Sequence, residues 1–170
     1  MKKLICLLLC LMMPLMALAE DIAPLTADDL ILTVGEETFA LGEDAAPLVE
    51  ALAALTGAPL TMSESTSCMF DGKDREFENE AVLVGTYPIG KDGGDATESV
   101  TVFTDALMTA RGAVVGMTRE EIEALYGADY FLDWTTMVYS LGVLEPQIMF
   151  ILDADLNVVE SWMVFRSTTA

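Results

Sequence analysis

The chain has 170 residues, 28 acidic and 8 basic side chains, no histidine, and a formal net charge of −20 at pH 7. That charge repels nucleic acid and anionic lipid, so nucleic acid is excluded as a partner on electrostatic grounds, and cationic or neutral partners are favoured. The lack of histidine excludes a Ser–His–Asp triad and leaves Cys68 without the usual base for making thiolate.

The N-terminus carries the marks of a secretory signal peptide. Lys2 and Lys3 precede an apolar run over residues 4–11, Pro14 interrupts it, and Ala17-Leu18-Ala19 forms a small-x-small cleavage site before Glu20. The run is shorter than the ~20 apolar residues that span a bilayer, so no stable membrane insertion is expected after cleavage following Ala19. Leu9, bulky where lipoprotein signals carry a small residue, argues against lipid anchoring at Cys10. Loss of Lys2 and Lys3 with the leader leaves six basic residues against 28 acidic, a net charge of −22. Cys6 and Cys10 leave as well, so Cys68 stands alone and no intramolecular disulfide is expected. The expected localisation is secreted or extracytoplasmic.

Residues 20–29 form a polar, Pro-containing lead-in. Residues 30–34 and 38–41 are apolar and β-branched around Gly35-Glu36, and read as a hairpin. The first helix is expected over 43–56, with acids in its first turn, an apolar face of Leu48, Val49, Leu52 and Leu55, and a stop at Gly57. Strands are then expected within 61–70, 75–77, 81–87 and 98–104, with a turn at Asp71-Gly72-Lys73-Asp74 and a flexible glycine loop over 90–95.

Gly112 to Gly116 reads as a short strand leading into a helix over 118–126. Thr118 and Glu121 form a capping box, Ile122, Leu125 and Tyr126 share a face, and Gly127 supplies a left-handed stop. Four further strands are expected over 130–134, 136–141, 147–152 and 158–165. The continuous apolar run of 148–152 marks a central strand. In the last strand Val159, Met163 and Phe165 are placed on one face, Trp162 and Val164 on the other.

A glycine, a helix, a Gly-Ala pair and a β-rich tail occur twice, at Gly42 to Ala58 and at Gly116 to Ala128. The expected fold class is therefore α+β, with two similar units, each one helix packed on an antiparallel β-meander. The expected divisions are 1–19 signal peptide, 20–29 flexible lead-in, 30–105 first α+β unit and 106–170 second α+β unit.

The Ser67-Cys68-Met69-Phe70-Asp71-Gly72 stretch and the Gly-Met-Thr-Arg-Glu-Glu-Ile helix ending Leu125-Tyr126-Gly127 resemble those of small secreted or lipid-anchored bacterial proteins. These look like tandem copies of the fold of the beta-lactamase inhibitor protein and of the small lipoprotein of the outer-membrane β-barrel assembly machine. The resemblance covers most of residues 30–165. It implies a non-catalytic protein-binding module of the envelope, and no binding residues carry over from it. The paired cysteines of the secreted inhibitor are absent, which argues against beta-lactamase inhibition.

No catalytic, cofactor-binding or metal-binding residues are assigned. Cys68 is expected to be a small buried side chain in a strand. Asp153, Asp155 and Asn157 have the first ligand spacings of a calcium loop, but Val158 stands where its glycine belongs and Val164 where its glutamate belongs, so a β-turn is expected. Asp92 and Asp95 offer at most a weak calcium site. Trp134, Tyr139 and Trp162 are the candidate partner-binding residues, weighed against a core role. Met108, Met117, Met137, Met149 and Met163 are expected to fill the core. The function expected is an exported, non-enzymatic protein-binding module whose partner is another envelope or extracellular protein. The alternatives are a metal- or carboxylate-dependent extracellular hydrolase and a cation-binding acidic secreted protein.

Overall fold

The structure, a computed structural model, describes residues 22–90, 94–143 and 145–168. The signal peptide, Cys10 and residues 91–93 of the glycine loop, including Asp92, lie outside them. A short 3-10 helix, Ala27–Leu30, leads to the hairpin β1 (Leu32–Val34) and β2 (Glu37–Phe39). Helix α1 (Ala45–Thr56) precedes β3 (Thr61–Thr66), β4 (Lys73–Glu78), β5 (Val82–Pro88) and β6 (Asp95–Val102). Helix α2 (Arg119–Tyr126) precedes β7 (Phe131–Asp133), β8 (Thr136–Ser140), β9 (Gln147–Leu152) and β10 (Val159–Phe165).

The expectation of two helix-on-meander units is corrected here. All eight strands from β3 to β10 form one antiparallel sheet, in the order β3-β4-β5-β6-β10-β9-β8-β7, and the hairpin is a separate two-stranded sheet. The join is β6 against β10, with Val102 opposite Trp162 and Val100 opposite Val164. Buried residues from both halves form one cluster, from Leu48, Val84 and Val100 to Ile122, Phe150 and Trp162. The helices do not cover this face alone. Leu30, Leu32, Val34, Leu107 and Ala113, from the 3-10 helix, the hairpin and an irregular segment, are buried in the same core.

Local chemistry accounts for the helices. Asp44 caps α1 by accepting from the Ala46 N–H at 3.1 Å, and Gly57 ends it in the left-handed region at φ 68°. Pro47 sits in the first turn, where no N–H is missed. Thr118 and Glu121 form the capping box, with the Thr118 N–H donating to Glu121 Oε2 at 2.8 Å. Gly127 has a positive φ of 89° but an extended ψ of 171°, so the stop is not the left-handed one expected. The segment from Gly112 to Gly116 is not a strand. It is a turn held by Thr109, whose Oγ1 accepts from the Ala113 N–H at 2.9 Å and from the Tyr126 hydroxyl at 2.8 Å.

Each helix entry is tied to the sheet by backbone bonds. The Gly42 N–H donates to Thr97 O at 2.7 Å and the Thr97 N–H to Glu43 O at 2.9 Å. The Gly116 N–H donates to Val159 O and the Val159 N–H to Met117 O, both at 2.9 Å. Leu48 and Leu52 of α1 and Ile122 and Tyr126 of α2 join one buried cluster with Val84, Val100, Phe150 and Trp162, so both helices lie on one side of the sheet. Below α2 the rings of Tyr126, Tyr139 and Phe150 pack with centroids 5.1–6.1 Å apart. The Tyr139 hydroxyl donates to Gly127 O at 2.7 Å, and burial raises its pKa above the usual tyrosine range.

The alternation expected for the last strand is corrected at its start. A register shift between Val159 and Ser161 inserts an extra residue, so Val159 turns inward with Trp162 and Val164. Such a bulge reverses the side-chain phase, which a strict period of two cannot anticipate.

The lead-in is anchored by Arg111. Its guanidinium donates to Asp29 at 2.7 and 2.8 Å and to the carbonyls of Ala23, Pro24 and Leu125. The Arg111 hydrogen bonds hold the Asp29 carboxyl at about 2, below its ordinary 3.8.

Two outcomes follow. Trp162→Ala, at a fully buried site in the central strand pair, should lower unfolding free energy by about 3–5 kcal/mol in chemical denaturation. Because the folded pKa of Asp29 is depressed, the stability it contributes is full above the unfolded pKa near 3.8 and is lost as pH falls towards about 2. Asp29→Asn should therefore flatten the acid limb of a melting-temperature profile over that window, and an unchanged limb would exclude the clamp.

Candidate functional site

The sheet has a covered face and an open one. Val82, Val84, Val100, Val102, Trp162, Val164, Ile148, Phe150, Leu152, Met137 and Tyr139 point to the covered face and are buried. Their neighbours in sequence point the other way, since side chains alternate along a strand. The register places Leu83, Thr101, Met163, Met149, Val138 and Phe131 in one row across six strands on the open face. A second row runs Glu76, Gly85, Ser99, Phe165, Gln147 and Ser140. Ile151 lies beside them between Ser161 and Thr136.

Leu83, Met149, Ile151, Met163, Phe165 and Val138 are all partly exposed and belong to no part of the buried core cluster. Phe131 is 68% exposed at the edge strand. The apolar half of this face is thus built from β8, β9 and β10. The half formed by β3 to β6 is polar. There Ser63, Ser65, Asp74, Glu76, Glu98 and Ser99 border an open depression of about 330 Å³ above Gly85. A Cβ on Gly85 would come within 2.6 Å of Ser99 Oγ, so the missing side chain keeps the depression open. Glu98 is the extra residue of a bulge in β6, which turns it to the same side as Ser99. Its Oε1 accepts from the Thr168 hydroxyl at 2.9 Å.

The structure separates the three residues expected to meet a partner. Trp162 is fully buried and Tyr139 is 3% exposed, so both are part of the core beneath the helices. Trp134 is 91% exposed in the β7–β8 turn, at a φ of 55° that is uncommon for a bulky residue. The methionines divide as well. Met137 is buried, Met117 packs against the core, Met149 and Met163 lie on the open face, and Met108 is 60% exposed. The clue to the open face is the run over 148–152. A strand apolar on both sides requires cover on both, and among the described residues only the side of Ile148, Phe150 and Leu152 has it.

Cys68 is exposed in the loop after β3, not buried in a strand as expected, because the strand ends at Thr66. Asp95 pairs with Arg75 at 2.6 Å. The Asp153 carboxylate accepts from the Asn157 N–H at 2.8 Å and closes the β9–β10 turn. Among the described residues no group of three or more Asp, Glu or Cys has the geometry to hold a metal ion. No helix among them is long and apolar enough to cross a membrane.

Compared with known proteins, the chain matches no family model, no curated protein and no solved structure.

The exposure of Cys68 has a direct check. An aromatic disulfide reagent should titrate one thiol in the native mature protein without denaturant. Reaction only after unfolding would place the side chain inside the fold.

Proposed function

We propose that this protein works by contact: it is an exported, non-enzymatic module that docks another envelope or extracellular protein on the open face of its sheet. The observation that supports this reading is the continuous apolar strip of Met163, Met149, Ile151, Val138 and Phe131 on a face that no helix or hairpin among the described residues covers. Contiguous exposed apolar surface is costly to a monomer in water and marks interaction sites. Methionine and phenylalanine are enriched at such contacts, where flexible thioethers adapt to a partner's shape. Trp134, beyond the edge of the strip, offers a rigid aromatic anchor. The export signal and the resemblance in residues 67–72 and 116–127 point to the same kind of role.

The test is affinity capture from the cell envelope with the mature protein and two variants, Met163→Glu and Trp134→Ala. A partner that docks on this face should be retained about tenfold less by Met163→Glu, and less by Trp134→Ala, while circular dichroism and melting temperature show both variants folded. Equal capture by all three proteins would remove the open face from the binding reaction.

A further inference from the structure

We propose that the occupant of the open face is a basic protein segment, which lays apolar side chains on β8–β10 and sets a Lys or Arg head group over Gly85, among Asp74, Glu76 and Glu98. This rests on the reading of the open face as a docking surface and adds the chemistry of what docks there.

The first argument is the segregation of charge. Asp74, Glu76, Glu78, Glu98 and Asp133 all project from the open face, by register or by lining its depression. Every basic side chain among the described residues is engaged elsewhere. Lys73 and Arg75 alternate with Asp74 and Glu76, on the side of Phe77, where they pair with Glu64, and Arg75 also with Asp95. Arg111 holds Asp29, Arg119 holds Glu123 and Tyr130, and Arg166 donates to Leu41 O. Arg75 also lines the depression, but its guanidinium is held by Asp95 at 2.6 Å and Glu64 at 3.6 Å, so Asp74, Glu76 and Glu98 form no salt bridge with a described residue. Like charges held together on one surface favour a partner of opposite sign, which gains both encounter rate and register.

The second argument is shape. Gly85 leaves a notch between Glu76 and Ser99, and Asp74 and Glu98 border the same depression. The three carboxylates do not converge on one point as metal ligands do. They ring a space of side-chain size, which suits a long cationic side chain that brings its own apolar stem. Phe165 stands opposite Ser99 and begins the apolar strip. One strand, β6, separates Gly85 from Phe165, which is two inter-strand spacings or about 10 Å. A partner strand or loop carrying a cation and an apolar side chain at that spacing meets both halves of the face at once.

The probe is a synthetic peptide of alternating leucine and lysine, with leucine–glutamate and serine–lysine peptides as controls. Binding to the mature protein is followed by NMR at the Gly85 amide and the Met149 and Met163 methyls. The leucine–lysine peptide should shift all three signals, and both controls should bind more weakly. The Asp74→Asn, Glu76→Gln, Glu98→Gln triple variant should weaken it about tenfold, as three exposed charge pairs would. A control triple on exposed helix-side acids, Glu50→Gln, Asp105→Asn, Glu120→Gln, should change it less than about twofold by the same reckoning. Equal losses in the two triples would reduce the attraction to overall charge and overturn the proposal. Tight binding of the leucine–glutamate peptide, with the Met149 and Met163 methyls shifted, would overturn the basic preference and leave the docking face standing. No shift at those methyls with any peptide, together with unchanged capture by Met163→Glu, would overturn the docking face itself.

Discussion

The pairing of β6 with β10 is the contact on which the rest of the molecule depends. These strands are about sixty residues apart in sequence, yet Val102 lies opposite Trp162 and Val100 opposite Val164. Without that pairing each run of four strands would end in an unpaired edge with apolar side chains on one side. Unpaired backbone and exposed Trp and Val are both costly, and one join satisfies them together. The remaining edges are β3, fully exposed and polar, and β7, only three residues long, which are the kinds of edge that resist further pairing.

One continuous sheet must then be covered, and the described residues cover it from one side only. The backbone bonds from Gly42 and Glu43 to Thr97, and from Gly116 and Met117 to Val159, fix the two helix entries along the sheet, and the shared buried cluster puts both helices on the same face. Two short helices are not enough for eight strands. The 3-10 helix, the β1–β2 hairpin and the turn around Ala113 fill the gaps, and Arg111 ties the lead-in down across α2. The aromatic cluster of Tyr126, Tyr139 and Phe150 gives the shorter helix a seat that its eight residues could not supply alone.

The same asymmetry gives the open face its character. Its apolar half follows from β9 and β10 alternating two apolar sets, and its acidic half from β4 and the bulge in β6. Basic groups are spent on the covered side as clamps for loops and helix ends. A chain this acidic need not show charge on every surface. Here the carboxylates of one face form no salt bridge among the described residues, beside a strip of methionine and phenylalanine. The proposed role as a docking module for a basic partner grows from that juxtaposition.

Much of the local structure was legible in the amino-acid sequence. Caps at Thr118 and Glu121, the stop at Gly57, the turns at Gly35 and Asp153, and six of the eight main-sheet strands to within about two residues follow from short-range chemistry. These signals are local because each rests on hydrogen bonds or steric limits within a few residues. Cys68 was misplaced because the end of β3 leaves no mark in the residues around it. Val159 was misplaced because a bulge changes phase without changing composition.

What only the tertiary structure decided is which strands meet and which face stays bare. The repeated helix-and-strand pattern reads as two units, but whether such units stand apart or share a sheet depends on the pairing of distant edges, which periodicity does not encode. Likewise Trp162 and Trp134 are equally aromatic in the sequence, and burial in the core or exposure in a turn separates them only once the layers are stacked. Side-chain alternation is set by bonding geometry and can be read along the chain. The choice of the face that meets water is set by where non-local cover lands, and that belongs to the folded whole.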